Sequence, residues 1–167
     1  MTTFSATFSA VAVSAAQDVF EIVAGAGCRV RIRDLKIGQY SDFGDAQAEI
    51  LSVVIMRGHT TTGTGGTALT PVNLQPWSRA ADCTVKVNNT TVAANGSPVT
   101  LVADTFNVAA GWSLRDCLSV WDAPKAVFQE GIWIEAGQRL VVRITAPADA
   151  LTMNGTLVFE EHSYRVQ

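Results

Sequence analysis

Two histidines, three cysteines and one cluster of carboxylates are the residues of this chain best suited to chemistry. His59 borders a glycine- and threonine-rich stretch and His162 lies near the C-terminus. Neither sits in an H-E-x-x-H pattern, and no G-x-S-x-G elbow presents a serine nucleophile. Cys28, Cys83 and Cys117 are odd in number and form no CxxC pair. That pattern argues against a zinc site or disulfide framework and for buried free thiols in a reducing compartment. A Cys–His pair assembled by the fold is the nucleophilic option that remains.

Asp42, Asp45 and Glu49 cluster on a turn-rich corner, and hard cations such as Ca²⁺ collect several such oxygens. The spacing is not that of an EF-hand loop. Pairing with Arg29, Arg31 and Arg33, or plain turn formation, competes with a metal site. Paired carboxylates also hydrolyse glycosides, but no cluster of aromatics surrounds these. Gly63-Thr64-Gly65-Gly66-Thr67 lacks the G-K-[ST] ending and following helix of a phosphate cradle, so it reads as a flexible loop. The arginine row either binds an anion or forms a solvated strand face opposed by Glu21, Glu160 and Glu161. Trp77 and Trp112 are candidates for sugar stacking, whereas Trp133, between Ile132 and Ile134, is expected in the core. These residues predict no catalytic centre, no metal and no cofactor.

Composition frames this expectation. The chain has 167 residues, 48% of them apolar, which suits one domain with its own core. A net charge of −3 is unlike the basic balance of proteins held by nucleic-acid phosphates. Charged residues make up 16%, below the roughly 25% of ordinary globular chains. Such a surface fits partial cover by partner subunits, or a β-protein that presents hydroxyls in place of charges. No apolar run approaches the ~20 residues of a membrane-spanning helix. The opening MTTFSATFSAVAVSAA lacks both the basic and the solid apolar region of a signal peptide. The expectation is a soluble chain made in the cytosol, with no membrane and no nucleic-acid partner.

The elements that would position these residues are strands. Cys28, Val30 and Ile32 alternate with Arg29, Arg31 and Arg33, then the phase slips at Arg33-Asp34, which predicts a β-bulge. Ile50 to Met56 is apolar on both sides, as in a central strand or an interface. Phe4 to Val13 alternates, with Phe4, Ala6, Phe8, Ala10 and Ala12 on one face and Val11 and Val13 on the other. Val19 to Val23, Cys83 to Val87, Arg139 to Thr145 and Thr156 to Glu161 continue the pattern; Pro147 to Asn154 reads as a loop. Asn95-Gly96 suits a tight turn, between the strand pieces Cys83–Val87 and Val99–Val102. About nine short strands and no amphipathic helix predict an all-β, single-domain antiparallel β-sandwich, jelly-roll-like. It spans 1–167, with an N-terminal strand or arm at 1–14 and a flexible Gly/Thr loop at 58–71.

Four segments carry a resemblance: DVFEIVAG at 18–25, GQYSDFGDAQAE at 38–49, RGHTTTGTGGTALTP at 57–71 and GTLVFEE at 155–161. In composition and segment order the chain resembles the small β-sandwich or jelly-roll virion structural proteins of tailed bacteriophages, and among them the capsid decoration, or cement, class. The resemblance implies a non-enzymatic protein of the virion, made in the host cytoplasm. Its implied state is a homo-oligomer, a trimer, that contacts the major capsid protein or other virion subunits through loops and termini. The contact elements would be the arm, with Phe4 and Phe8, and the loop, with His59, Thr62 and Thr64, joined by Trp77 and Trp112. The competing reading is a carbohydrate- or receptor-binding sandwich, a tail or head fibre component using Trp77 or Trp112.

Overall fold

The computed structural model describes residues 1–40, 50–115, 131–145 and 151–164. The acidic corner with Asp42, Asp45 and Glu49, together with Cys117 and Trp121, lies outside the described residues. Twelve strands are described: β1 Thr2–Val13, β2 Ala16–Val23, β3 Cys28–Gln39, β4 Ile50–Thr61, β5 Thr67–Leu69, β6 Val72–Asn73, β7 Thr84–Asn89, β8 Ala94–Asn107, β9 Trp112–Ser113, β10 Ile132–Ile134, β11 Arg139–Thr145 and β12 Leu151–Ser163. They form two antiparallel sheets. Sheet A runs β10-β3-β12-β1-β6, with β9 also on β3; sheet B runs β5-β7-β2-β11-β4-β8. The architecture is the expected β-sandwich, with more strands, several of them longer, than the alternation suggested.

The core lies between the sheets because each long strand turns one alternating face inward. Phe4, Ile32, Leu35, Leu157 and Phe159 from sheet A meet Phe20, Ile22, Leu51, Ile55, Leu140 and Ile144 from sheet B. Phe4 stacks on Phe159 at 5.6 Å, and Phe8 tilts against Phe20 at 5.2 Å. Each fully buried side chain of this size contributes roughly 1.5–3 kcal/mol from apolar burial.

Bulges account for the differences from simple alternation. In β3, Asp34 faces Val158 while Ile32 faces Phe159, so Arg33 is the extra residue at the expected slip. In β1 the register shifts between Phe8 and Val11, with Ala10 at φ 56° and its N–H donated to Asn154 Oδ1 at 2.9 Å. The face therefore turns over, and Val13 is buried where alternation had placed it outward. Asn95 and Gly96 both take positive φ, yet they lie inside β8 opposite the end of β4 and make a register shift, not a hairpin. Strand β12 starts at Leu151, inside the stretch expected as a loop.

Two points bear on function. The segment expected as a strand or arm is strand β1, paired with β12 along its length and with β6 at Phe4 and Ser5. The stretch expected as a flexible loop is strand through Thr61, bridges Thr64 to Thr91, and resumes as β5 against β7. Trp133 also departs from expectation: Ile134 is the buried residue, and Trp133 packs on the outer face against Arg29.

Gly155 in β12 lies opposite Phe8, and a Cβ there would run into the rings of Phe8 and Phe20. Gly155→Ala is expected to cost about 1–3 kcal/mol, read from the urea midpoint. Gly27→Ala, which meets open space, is expected to stay within about 0.5 kcal/mol of wild type.

Candidate functional site

The outer face of sheet B carries a buried layer of charge. Arg139 and Arg143 alternate with Val141 on β11, and Asp18 and Glu21 lie beside them on β2. Three residues apart, the two acids would normally face opposite sides of a strand. Val19 is an extra residue between the positions opposite Val142 and Arg143, and that bulge brings both carboxylates to the outer face. Glu21 accepts from Arg139 Nε at 2.7 Å, from Asn89 Nδ2 at 2.7 Å and from the Gly63 N–H at 2.9 Å. Arg139 then donates to the His59 carbonyl at 2.9 Å and to Thr62 Oγ1 at 2.7 Å. Asp18 accepts from Arg143 Nε at 2.7 Å and from the Ala93 N–H at 2.5 Å. The chain just past the ends of β4 and β7, at Gly63 and Ala93, is thereby tied to β2, and Val141 between the two arginines is completely buried.

A third carboxylate acts the same way at the other end. Glu161, with no exposed surface, accepts from the Cys83 N–H at 2.7 Å, the Asp82 N–H at 3.1 Å and Arg79 Nη2 at 2.9 Å. Cys28, Asp82 and Glu161 place ligand atoms within 4.8 Å of one another, a grouping open to a metal on geometry alone. Arg79 stands where a cation would, 2.6 Å from Asp82 and 2.9 Å from Glu161. Burial also pushes both thiols up, Cys28 and, much further, Cys83, with the Glu161 carboxylate adding to each shift. With Arg79 between the two carboxylates and the Asp82 and Cys83 N–H groups on Glu161, the cluster ties the 79–83 segment to β12.

The expected site residues separate into two groups. Phe4 and Phe8 are core, His59 is 7% exposed beneath its own loop, and Trp112 is 7% exposed with its Nε1 donated to Asp104 at 3.0 Å. These four have little surface to offer a partner. Thr62 is half-buried on Arg139, and Thr64 is exposed on the bridge to Thr91. Trp77 stands 87% exposed. Next to it in sequence, Val72 and Leu74 are also mostly exposed, on the outer face of sheet A. Ser5 faces Val72, and the Leu74 N–H donates to Thr3 O at 3.0 Å, so Met1, itself exposed, lies beside them. Sequence reasoning did not single out Val72 and Leu74 beside Trp77, because they carry no motif and no alternating pattern. Of the acids expected opposite the arginine row, Glu160 alone meets it, while Glu21 pairs with Arg139 and Glu161 with Arg79; Asp18 was missed altogether.

No family model and no curated protein matches the chain. A solved structure of maize chlorotic mottle virus, from single-particle analysis, is similar over 100% of this chain and 97% of that one, at 13% identity and a TM-score of 0.30. A likeness of that degree carries no argument about function.

His59 gives this site a dependence on pH. Burial, then Arg143, lower its pKa from the ordinary 6.5, with Arg139 adding to the effect and Asp18 and Glu21 opposing it. The unfolded chain therefore takes up this proton first as pH falls, and stability drops with it. Below about pH 6.5 the expected contribution is a loss of up to about 1.4 kcal/mol per pH unit, and His59→Gln should flatten that slope. Urea midpoints of both proteins from neutral to mildly acid pH check this; equal slopes would contradict it.

Proposed function

We propose that this chain is a non-enzymatic structural protein of a virion, a capsid decoration or cement subunit that docks on the major capsid protein or other virion subunits. The observation that carries the reading is the exposed apolar edge of Met1, Val72, Leu74 and Trp77 on a body whose neighbouring segments are tied to its sheets. Soluble monomers rarely expose contiguous large apolar side chains, and such patches mark interaction surfaces. Three of the buried acids, Asp18, Glu21 and Glu161, are each engaged by an arginine and by backbone N–H groups, which is the use a scaffold makes of charge. A staple for a shell needs a rigid body and a surface for its neighbours, and no reacting groups. The proposed assembly is a trimer, and the proposed location the virion, after synthesis in the host cytoplasm.

A carbohydrate- or receptor-binding module is the second reading, and Trp77 is its observation, since an exposed indole stacks on sugar faces as readily as on protein. Trp112, buried and hydrogen-bonded to Asp104, drops out of it.

Removing β1 would take out a paired strand of sheet A, so surface substitutions test the proposal better than truncation. Trp77→Ala with Leu74→Ser is expected to abolish co-sedimentation with undecorated shells while stability stays within about 0.5 kcal/mol of wild type. Undiminished shell binding would overturn the proposed surface. Glycan binding that vanishes with Trp77→Ala alone, without shell binding by the intact chain, would favour the second reading.

A further inference from the structure

Sheet A keeps a second feature on its outer face. Arg29, Arg31 and Arg33 lie in one row on β3, and Lys36 extends it. Trp133 of β10 faces the row, with the guanidinium of Arg29 4.6 Å and that of Arg31 5.4 Å from the ring centroid, and His162 edge-on at 4.9 Å. Glu160 is the carboxylate set among these cations. It is shared by Arg31 at 3.9 Å and Arg33 at 3.5 Å, both long for a charged pair, and His162 Nε2 lies 3.4 Å away. Asp34, in the bulge, spends one oxygen on the Leu35 N–H at 2.9 Å. Glu135, at the rim, is engaged by the Tyr164 hydroxyl. Arg29 has no carboxylate partner among the described residues, and Arg31 Nε is buried without a hydrogen-bond partner. The row is therefore under-neutralised in a chain whose net charge is −3.

We infer that this row is a docking stripe for an extended acidic segment of a partner polypeptide. Stacking on Trp133 holds Arg29 and Arg31 in place before binding, so less side-chain freedom is lost when a carboxylate arrives. Arg29 and Arg31 recur at the roughly 6.6–6.8 Å repeat of alternate residues in a strand. An extended peptide with Asp or Glu at every second residue matches that repeat along its own backbone. The acidic balance of the whole chain disfavours a nucleic-acid backbone as the occupant. The stripe shares its face with the Val72–Trp77 edge, three strand spacings away across β12 and β1, or roughly 14 Å. The inference stands on its own charges and does not depend on what shell, if any, the apolar edge meets.

The test is calorimetric titration of the full chain at low salt with a peptide alternating Glu and Ser, its Gln-for-Glu counterpart and a thymidine oligonucleotide. Saturable binding of the Glu peptide alone is expected, weakened about tenfold or more by Arg29→Ala with Arg33→Ala, and weakened by raising salt from about 0.05 M to about 0.2 M. Both arginines are exposed, so the variant keeps its core. In the wild-type chain the Trp133 indole resonance should move during the same titration. Trp77→Ala with Leu74→Ser should leave this binding intact, which separates it from failure of the apolar edge. Binding of the Gln peptide to the same degree, indifference to the arginine substitutions, or stronger binding of the oligonucleotide would overturn the inference.

Discussion

Three carboxylates with almost no exposed surface, Asp18, Glu21 and Glu161, set the terms for the rest of this molecule. A buried charge is tolerated only when its lone pairs are filled and an opposite charge stands close. Each of the three meets that condition with an arginine and one or two backbone N–H groups from chain far away in sequence. The consequence is mechanical. Gly63, Ala93 and Cys83 cannot leave their places without stranding a carboxylate, so segments that look free by composition are tied to the sheets. Gly63 and Gly66 also pack so closely on the Asn89 region that a Cβ at either would clash, which is a packing reason for their being glycine.

That constraint divides the two faces of the sandwich. The outer face of sheet B is closed over around β2 and β11, where Val141, an outward-pointing residue, is buried, while β8 at its edge stays largely exposed. Sheet A keeps an outer face with an apolar edge on β6 and a basic row on β3. The low charged fraction, 16%, has its structural counterpart here, because several charges serve the interior and few are left for general solvation. A body of this kind is suited to holding surfaces in fixed relation to one another, and the virion reading rests on that rigidity together with the exposed edge.

Much of the sandwich was legible in the alternation of apolar residues. Leu140, Val142 and Ile144 point inward as the pattern says, and the slip at Arg33-Asp34 is a bulge in the structure. What alternation does not reveal is a bulge with no compensating pattern. Ala10 and Val19 are such positions: small or apolar residues on both sides conceal the change of phase. The second reversed the face of Asp18 and so hid the acid layer. The Gly/Thr stretch misled for a related reason. Its composition reports what the segment itself can bury, whereas its order comes from Glu21, more than forty residues away in sequence. Trp133 was placed in the core because both of its neighbours are isoleucines, but on a strand neighbours face the other way, and the ring belongs with the arginines across from it.

The most direct test of this account is amide hydrogen exchange at Gly63 and Ala93, in the wild-type chain and in Glu21→Ala. The account predicts that both amides in the wild type exchange as slowly as amides in the middle of β2 and β11. In the variant, Gly63 alone should become fast while Ala93, held by Asp18, stays protected. Rapid exchange at Gly63 in the wild type would contradict it, since the loop would then be free and the buried carboxylate would not be its anchor.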